Sequence, residues 1–251
     1  MDSNVKRDTP REHAALSARL AKFVPLGRTA LQVLPDAPFL SLYLLNPQYP
    51  QHDLSPEQLL TILNYPAYWA FCWASGQVLA AFIARHPEWV AGKRVLDCGC
   101  GSGVMAIAAA RAGAADVVAC DLDQDACQAT KANAEINGVD ITVTDSFDGC
   151  EGRFDLILAA DVLYDRANLP WLERFLERAP NVLLADSRIR DFSAPGYDKL
   201  GEWTSNTVPD LDESAEFRRV SVYAGSRRCR EHEASPIAAQ RRLSPATSTP
   251  G

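Results

Sequence analysis

From residue 94 onward, short apolar runs alternate with helical periods. Arg94-Val95-Leu96 reads as a strand, residues 97–103 as a glycine-bearing turn, and residues 104–112 as an alanine-rich helix ended by Gly113. Residues 116–121 give a second strand, 123–137 a helix stopped at Gly138, and 139–144 a third strand. Further on, 154–160 reads as a buried strand, 168–178 as a helix and 181–186 as a strand. A helix over 196–203 and a closing strand pair near 204–208 and 216–224 complete the series. Strands alternating with helices in this way predict an α/β fold, a doubly wound, mostly parallel sheet of seven strands with an antiparallel edge strand. Upstream, residues 12–22 predict a helix.

The turn Asp97-Cys98-Gly99-Cys100-Gly101-Ser102-Gly103 spaces its glycines as acid-x-Gly-x-Gly-x-Gly. A dinucleotide fingerprint would need glycine where Val104 stands, so the spacing argues against a nicotinamide dinucleotide. Bare main chain at a helix N-terminus lets a ligand approach closely. Asp97 sets a carboxylate beside it, which repels a pyrophosphate and suits a ligand with an ammonium group, a sulfonium and a sugar. Asp121, 24 residues after Asp97, ends the next strand, where a carboxylate can accept both hydroxyl protons of a ribose. Asp161, at the carboxyl end of the strand over 154–160, falls on the reaction side of an open α/β sheet, with Tyr164 three residues on.

With these features the chain resembles the class I S-adenosylmethionine-dependent methyltransferases, from about Lys93 to Gly225. The resemblance implies that Asp97, Gly99, Gly101, Gly103 and Asp121 hold S-adenosylmethionine, with Asp145 among its adenine contacts. The pair Asp161-x-x-Tyr164 resembles a subgroup that methylates lysine in folded proteins. It implies Asp161 as the group that aligns the amine, also beside the cofactor, and Tyr164 as a wall of the acceptor pocket. Tyr68-Trp69-Ala70-x-x-Trp73-x-x-Gly76-Gln77 and the upstream Leu42-x-Leu44-Leu45-x-Pro47 narrow the likeness to the electron transfer flavoprotein β-subunit lysine methyltransferase family. That likeness places Trp73 and Gly76 over the cofactor and implies a lysine-bearing protein as acceptor, the β subunit of electron transfer flavoprotein. Residues 51–63 depart from the family's pattern, and Asn46-Pro47-Gln48-Tyr49 reads as a turn.

Composition fits one catalytic domain. The 251 residues, 47% hydrophobic, can bury a full core. The expected division is an N-terminal extension over 1–34, partly helical or disordered, a cap over 35–92, a catalytic core over 93–225 and a disordered tail over 226–251. The tail from Arg227 carries five arginines and two glutamates, net +3 against an overall −7, which leaves −10 on the rest. An acidic body with no basic stripe disfavours nucleic acid. No run of about 18 apolar residues and no signal pattern occurs, so a cytoplasmic monomer away from membranes is expected. Seven scattered cysteines and four scattered histidines form no ligand set, and no metal is expected. Three alternatives stay open: a small-molecule N- or O-methyltransferase, a ribosomal-protein methyltransferase, and a nucleotide-binding protein without catalysis.

Overall fold

The computed structural model describes residues 10–163, 165–189 and 192–227. Its elements are, in order, α1 (Pro10–Leu20), β1 (Thr29–Val33), β2 (Ser41–Leu45), α2 (Pro56–Asn64), α3 (Ala74–Arg85), β3 (Arg94–Cys98), α4 (Val104–Arg111) and β4 (Asp116–Cys120). There follow α5 (Gln124–Ile136), β5 (Thr142–Thr144), β6 (Leu156–Ala160), α6 (Trp171–Arg178), β7 (Asn181–Asp186), β8 (Tyr197–Thr204) and β9 (Arg219–Ser226).

Seven strands form one sheet in the order β5-β4-β3-β6-β7-β9-β8. The first five are parallel, while β9 runs antiparallel to both β7 and β8, so the antiparallel pairing falls at that edge. The chain winds outward from β3 through β4 to β5, then crosses back to lay β6 on the other side of β3. This reversal opens a crevice beyond the carboxyl ends of β3, β4 and β6.

Parallel strands covered on both faces need long apolar runs, and β6 and β7 have them. Leu156 and Leu158 of β6, with Leu183 and Ala185 of β7, meet α3 and α4 on one face. Ile157, Ala159, Val182 and Leu184 meet α6 on the other. Helix α3 is apolar on nearly every side because it lies against the sheet and against α4. Its residues from Ala74 to Ile83 are all buried. Each of Leu79, Phe82 and Ile83 contributes roughly 1.5–3 kcal/mol by leaving water.

A third cluster ties the N-terminal segment to the core. Leu16 and Leu20 of α1, Tyr43 and Leu45 of β2, and Trp69 pack on Ala129, Ala132 and Ile136 of α5. Residues 10–34 thus contribute a docked helix and the strand β1, which pairs with β2 in a two-stranded antiparallel sheet that the sequence did not suggest. All five residues of β2 are buried, because Leu42 and Leu44 enter the first cluster while Tyr43 and Leu45 enter the third.

The expected helix over 196–203 is instead the strand β8. Tyr197, Leu200 and Trp203 stand at helical spacing, but Gly201 weakens a helix and pairing with β9 decides the conformation. Residues 204–208 form no continuous strand beyond Thr204. Val208 pairs in isolation with Cys72, exchanging both backbone hydrogen bonds at 2.8 Å. The tail expected over 226–251 lies outside the described residues from 228 onward.

Candidate functional site

The glycine turn closes the end of β3 against β4. The N–H groups of Gly99 and Cys100 both donate to the Cys120 carbonyl, at 2.9 and 3.0 Å. Gly99, Gly101 and Gly103 have φ values of 74°, 50° and 81°, a region where side chains are rarely tolerated. At Gly103, the N-cap of α4, a Cβ would also stand 3.1 Å from the Thr130 Cα, so only glycine lets α5 press this closely. At Gly101 the position a Cβ would take has no atom within 4 Å. The main chain there faces open space, as a cradle for a ligand requires.

Residues of α5 hold the turn from behind. Thr130 Oγ1 donates to the Gly101 carbonyl at 3.2 Å, and Asn133 Nδ2 to the Ser102 carbonyl at 2.9 Å, while Asn133 Oδ1 accepts from the Tyr43 N–H at 2.7 Å. Asn137 accepts from and donates to the main chain of Ser41 in the same way. Sequence reasoning missed these residues. The available signal was two asparagines four apart on the alanine face of a helix, where only a satisfied polar group is tolerated.

The Asp97 carboxylate lies beneath the turn, fully enclosed. Oδ2 accepts from the Ala106 N–H at 3.0 Å, at the start of α4, and Oδ1 has no partner. The carboxyl thus anchors the helix N-terminus through Oδ2 and leaves Oδ1 unmatched beneath the turn. Burial pushes its pKa up to about 7, against the Ala106 hydrogen bond that lowers it. Asp121 receives the Gly101 N–H on Oδ2 at 2.9 Å and the Asp123 N–H on Oδ1 at 3.0 Å, fixing it beside the turn. Leu122 next to it is 85% exposed. Asp145 lies exposed just past β5, on the outermost strand of that edge.

On the other side of the crevice, Asp161 follows β6 with φ at 50°, a conformation that costs a non-glycine residue about 1 kcal/mol or more. Three hydrogen bonds converge on its Oδ1: Ser75 Oγ at 2.8 Å, Ser187 N–H at 2.9 Å and Ser187 Oγ at 2.8 Å. Oδ2 is buried without a partner. Burial raises the Asp161 pKa, partly offset by the Ser187 and Ser75 hydrogen bonds and by Arg188. Asp186, at the end of β7, is raised to about 6 by burial and by the charge of Asp161. Ser75 and Ser187 were not foreseen, because their partner is distant in sequence.

Ser75 belongs to the first turn of α3, and Trp73 is that helix's N-cap, with its Nε1 donating to the Tyr68 carbonyl at 3.1 Å. Gly76 lets α3 cross α4 closely, since a Cβ there would sit 2.9 Å from Val104 Cγ1. Helix α3 therefore joins the glycine turn to Asp161. Trp69 is core, 1% exposed. Tyr164 lies outside the described residues.

Raised carboxyl pKa values carry a sign for stability. Asp97 keeps its proton to about pH 7 when folded, but loses it near pH 3.9 when unfolded. Its contribution is complete below about pH 4 and falls away as the pH rises through 7. The ligand-free Asp97→Asn protein is therefore expected to gain on the wild type by roughly 5 °C in Tm between pH 5 and pH 8, followed by circular dichroism.

The donor set fits S-adenosylmethionine: an open cradle at Gly101, a carboxylate tied to the turn at Asp121, and a buried carboxyl under a helix N-terminus at Asp97, with Oδ1 unmatched. Fold and turn together define a class I methyltransferase domain. The family description "Ribosomal protein L11 methyltransferase (PrmA)" matches residues 85–167. A Danio rerio protein named electron transfer flavoprotein beta subunit lysine methyltransferase is 45% identical over 117 residues, 45% of each chain. Its Xenopus laevis namesake is 36% identical over 168 residues, 64% of this chain and 67% of that protein. On that match the chain belongs to the electron transfer flavoprotein beta subunit lysine methyltransferase family. The first two such relatives, from Danio rerio and Rattus norvegicus, are spanned over only 45% and 60% of their length. A ribosomal protein L11 methylase structure from Lactobacillus delbrueckii subsp. bulgaricus aligns with 61% of this chain and 78% of its own, at 22% identity and TM-score 0.46.

Proposed function

We propose that this chain is an S-adenosylmethionine-dependent protein-lysine N-methyltransferase acting on the β subunit of electron transfer flavoprotein. The observation that carries this reading is Asp161, held in a left-handed conformation with one carboxylate oxygen saturated and the other buried and unmatched. A buried acceptor without a donor is a place for an incoming N–H. The names of relatives at 33–45% identity support the acceptor.

When bound, S-adenosylmethionine supplies a methyl group on a sulfonium, which passes in line to an amine lone pair. Gly99, Gly101 and Gly103 give it bare main chain, Asp121 takes its ribose hydroxyls and Asp145 flanks its adenine. Asp97 anchors the turn, while Trp73 and Gly76 bring α3 over it. The acceptor lysine, with a free pKa of about 10.4, must lose its proton first. The aromatic surroundings of Trp73 and Phe71, whose ring centroids are 5.4 Å apart, lower that cost by excluding water. Asp161 Oδ2 then accepts one amine N–H and points the lone pair, and the displaced proton goes to water. In this reading the protein is a cytoplasmic monomer with thiols reduced. Among the described residues no helix is long and apolar enough to cross a membrane.

The test is purified protein with methyl-labelled S-adenosylmethionine and purified β subunit, read by peptide mass spectrometry. Methylated lysine is expected. Cofactor binding without transfer to that subunit would reject the acceptor.

A further inference from the structure

An apolar groove of about 460 Å³ opens between the N-terminal segment and the loop that precedes β9. Tyr49, Leu54, Leu59, Ile62, Phe71 and Leu211 line it, and Trp73 stands at its wall. Two residues beyond Trp73, Ser75 bonds to Asp161, so the groove abuts the reaction side. Helix α2 flanks it with none of its own residues buried. Leu60 is 59% exposed and Leu63 74% exposed, although the helix is well formed, with Ser55 and Gln58 making a reciprocal capping box. Exposed leucines on one ordered helix beside a groove are the mark of a surface that another molecule covers.

The charge around the groove selects the kind of molecule. Residues 49–73 contain Asp53 and Glu57 and no lysine or arginine. Residues 209–217 contain Asp210, Asp212, Glu213 and Glu216, again with no lysine or arginine. Beside the loop, Arg218 pairs with Asp210 at 3.2 Å and Arg188 with Glu213 at 2.7 Å, and Arg188 also lies over the Trp73 and Phe217 rings, while Lys22 and Arg28 are exposed on the N-terminal segment. Exposed Asp53, Glu57 and Asp212 leave the rim negative, with His52 3.8 Å from Asp212. An apolar floor with an anionic rim matches a lysine, whose stem is apolar and whose head is cationic, and it repels an anionic lipid surface.

We propose that the exposed face of α2, the groove beside it and the acidic loop 210–216 are the docking surface for a cationic, lysine-bearing segment of the acceptor protein that also presents an apolar side chain. This rests on the methyltransferase reading above and adds where and by what chemistry the acceptor is held.

The test uses the full chain saturated with S-adenosylhomocysteine and the purified β subunit as probe, with binding measured by titration calorimetry at low and physiological salt. Leu60→Ser with Leu63→Ser, and separately Asp53→Lys with Asp212→Lys, are each expected to weaken binding about tenfold or more. The same variants raise KM for the subunit and leave kcat and S-adenosylhomocysteine affinity unchanged. The affinity of the wild type and of the leucine variant should fall steeply with salt, and that of the Asp53→Lys with Asp212→Lys variant should not. Leu200→Ser, at a 41% exposed leucine on β8, is the control and should bind as wild type. Variants that bind within about twofold of wild type would overturn the surface while leaving the acceptor intact. Wild type that binds S-adenosylhomocysteine but not the subunit would overturn the acceptor and this docking partner together. Self-association lost in the leucine variant would assign the groove to a second copy and overturn the proposal.

Discussion

Asp97→Ala is expected to abolish S-adenosylhomocysteine binding in calorimetry, a loss of about a hundredfold or more, and to lower stability by about 1–3 kcal/mol. The carboxylate is fully buried and its Oδ2 receives the Ala106 N–H at the start of α4. Truncation leaves that N–H without a partner, opens a cavity under the turn and removes the carboxyl whose Oδ1 is unmatched there. Asp97→Asn separates these effects, because an amide oxygen can still accept from Ala106 without the charge. If the anchor alone matters, the asparagine variant keeps affinity within about tenfold, whereas a loss equal to that of alanine assigns the work to charge.

Asp161→Ala is expected to do the opposite. Its cofactor affinity should stay within about threefold of wild type while kcat falls by about a hundredfold to a thousandfold. Among the described residues nothing on the glycine turn bonds to Asp161, whose partners are Ser75, Ser187 and the main chain of Ala185. The residue is held for a ligand on the acceptor side, so its removal should cost orientation of the amine in the transition state. Single-turnover transfer beside a binding titration separates the two quantities. Equal loss of cofactor binding would place Asp161 in the cofactor cradle instead.

The parts of the molecule legible in its sequence are those whose determinants are local. The glycine turn, α4 and α5 follow from spacing, because positive-φ turns admit few residues but glycine and because Gly113 and Gly138 punctuate the helices. Strand β6 was legible as an unbroken apolar run covered on both sides. What the sequence concealed depends on long-range partners. Strand β8 takes its form from β9, whose register pairs Trp203 with Val220, and β1 exists because β2 is bonded to Asn133 and Asn137 about 90 residues away. The support for Asp161 is divided between Ser75 and Ser187, which only the folded sheet brings together. The burial of Asp97 was equally hidden, since its bond to the Ala106 N–H forms only once α4 is folded over the end of β3.

The measurement that tests the central claim most directly is transfer of radiolabel from methyl-labelled S-adenosylmethionine into the proteins of a soluble lysate, with gel separation and mass spectrometry of every labelled band. The predicted result is a labelled band whose methylated lysines map to the β subunit of electron transfer flavoprotein, and no such band with the Asp161→Ala protein. Label confined to small molecules, with none in protein, would contradict it.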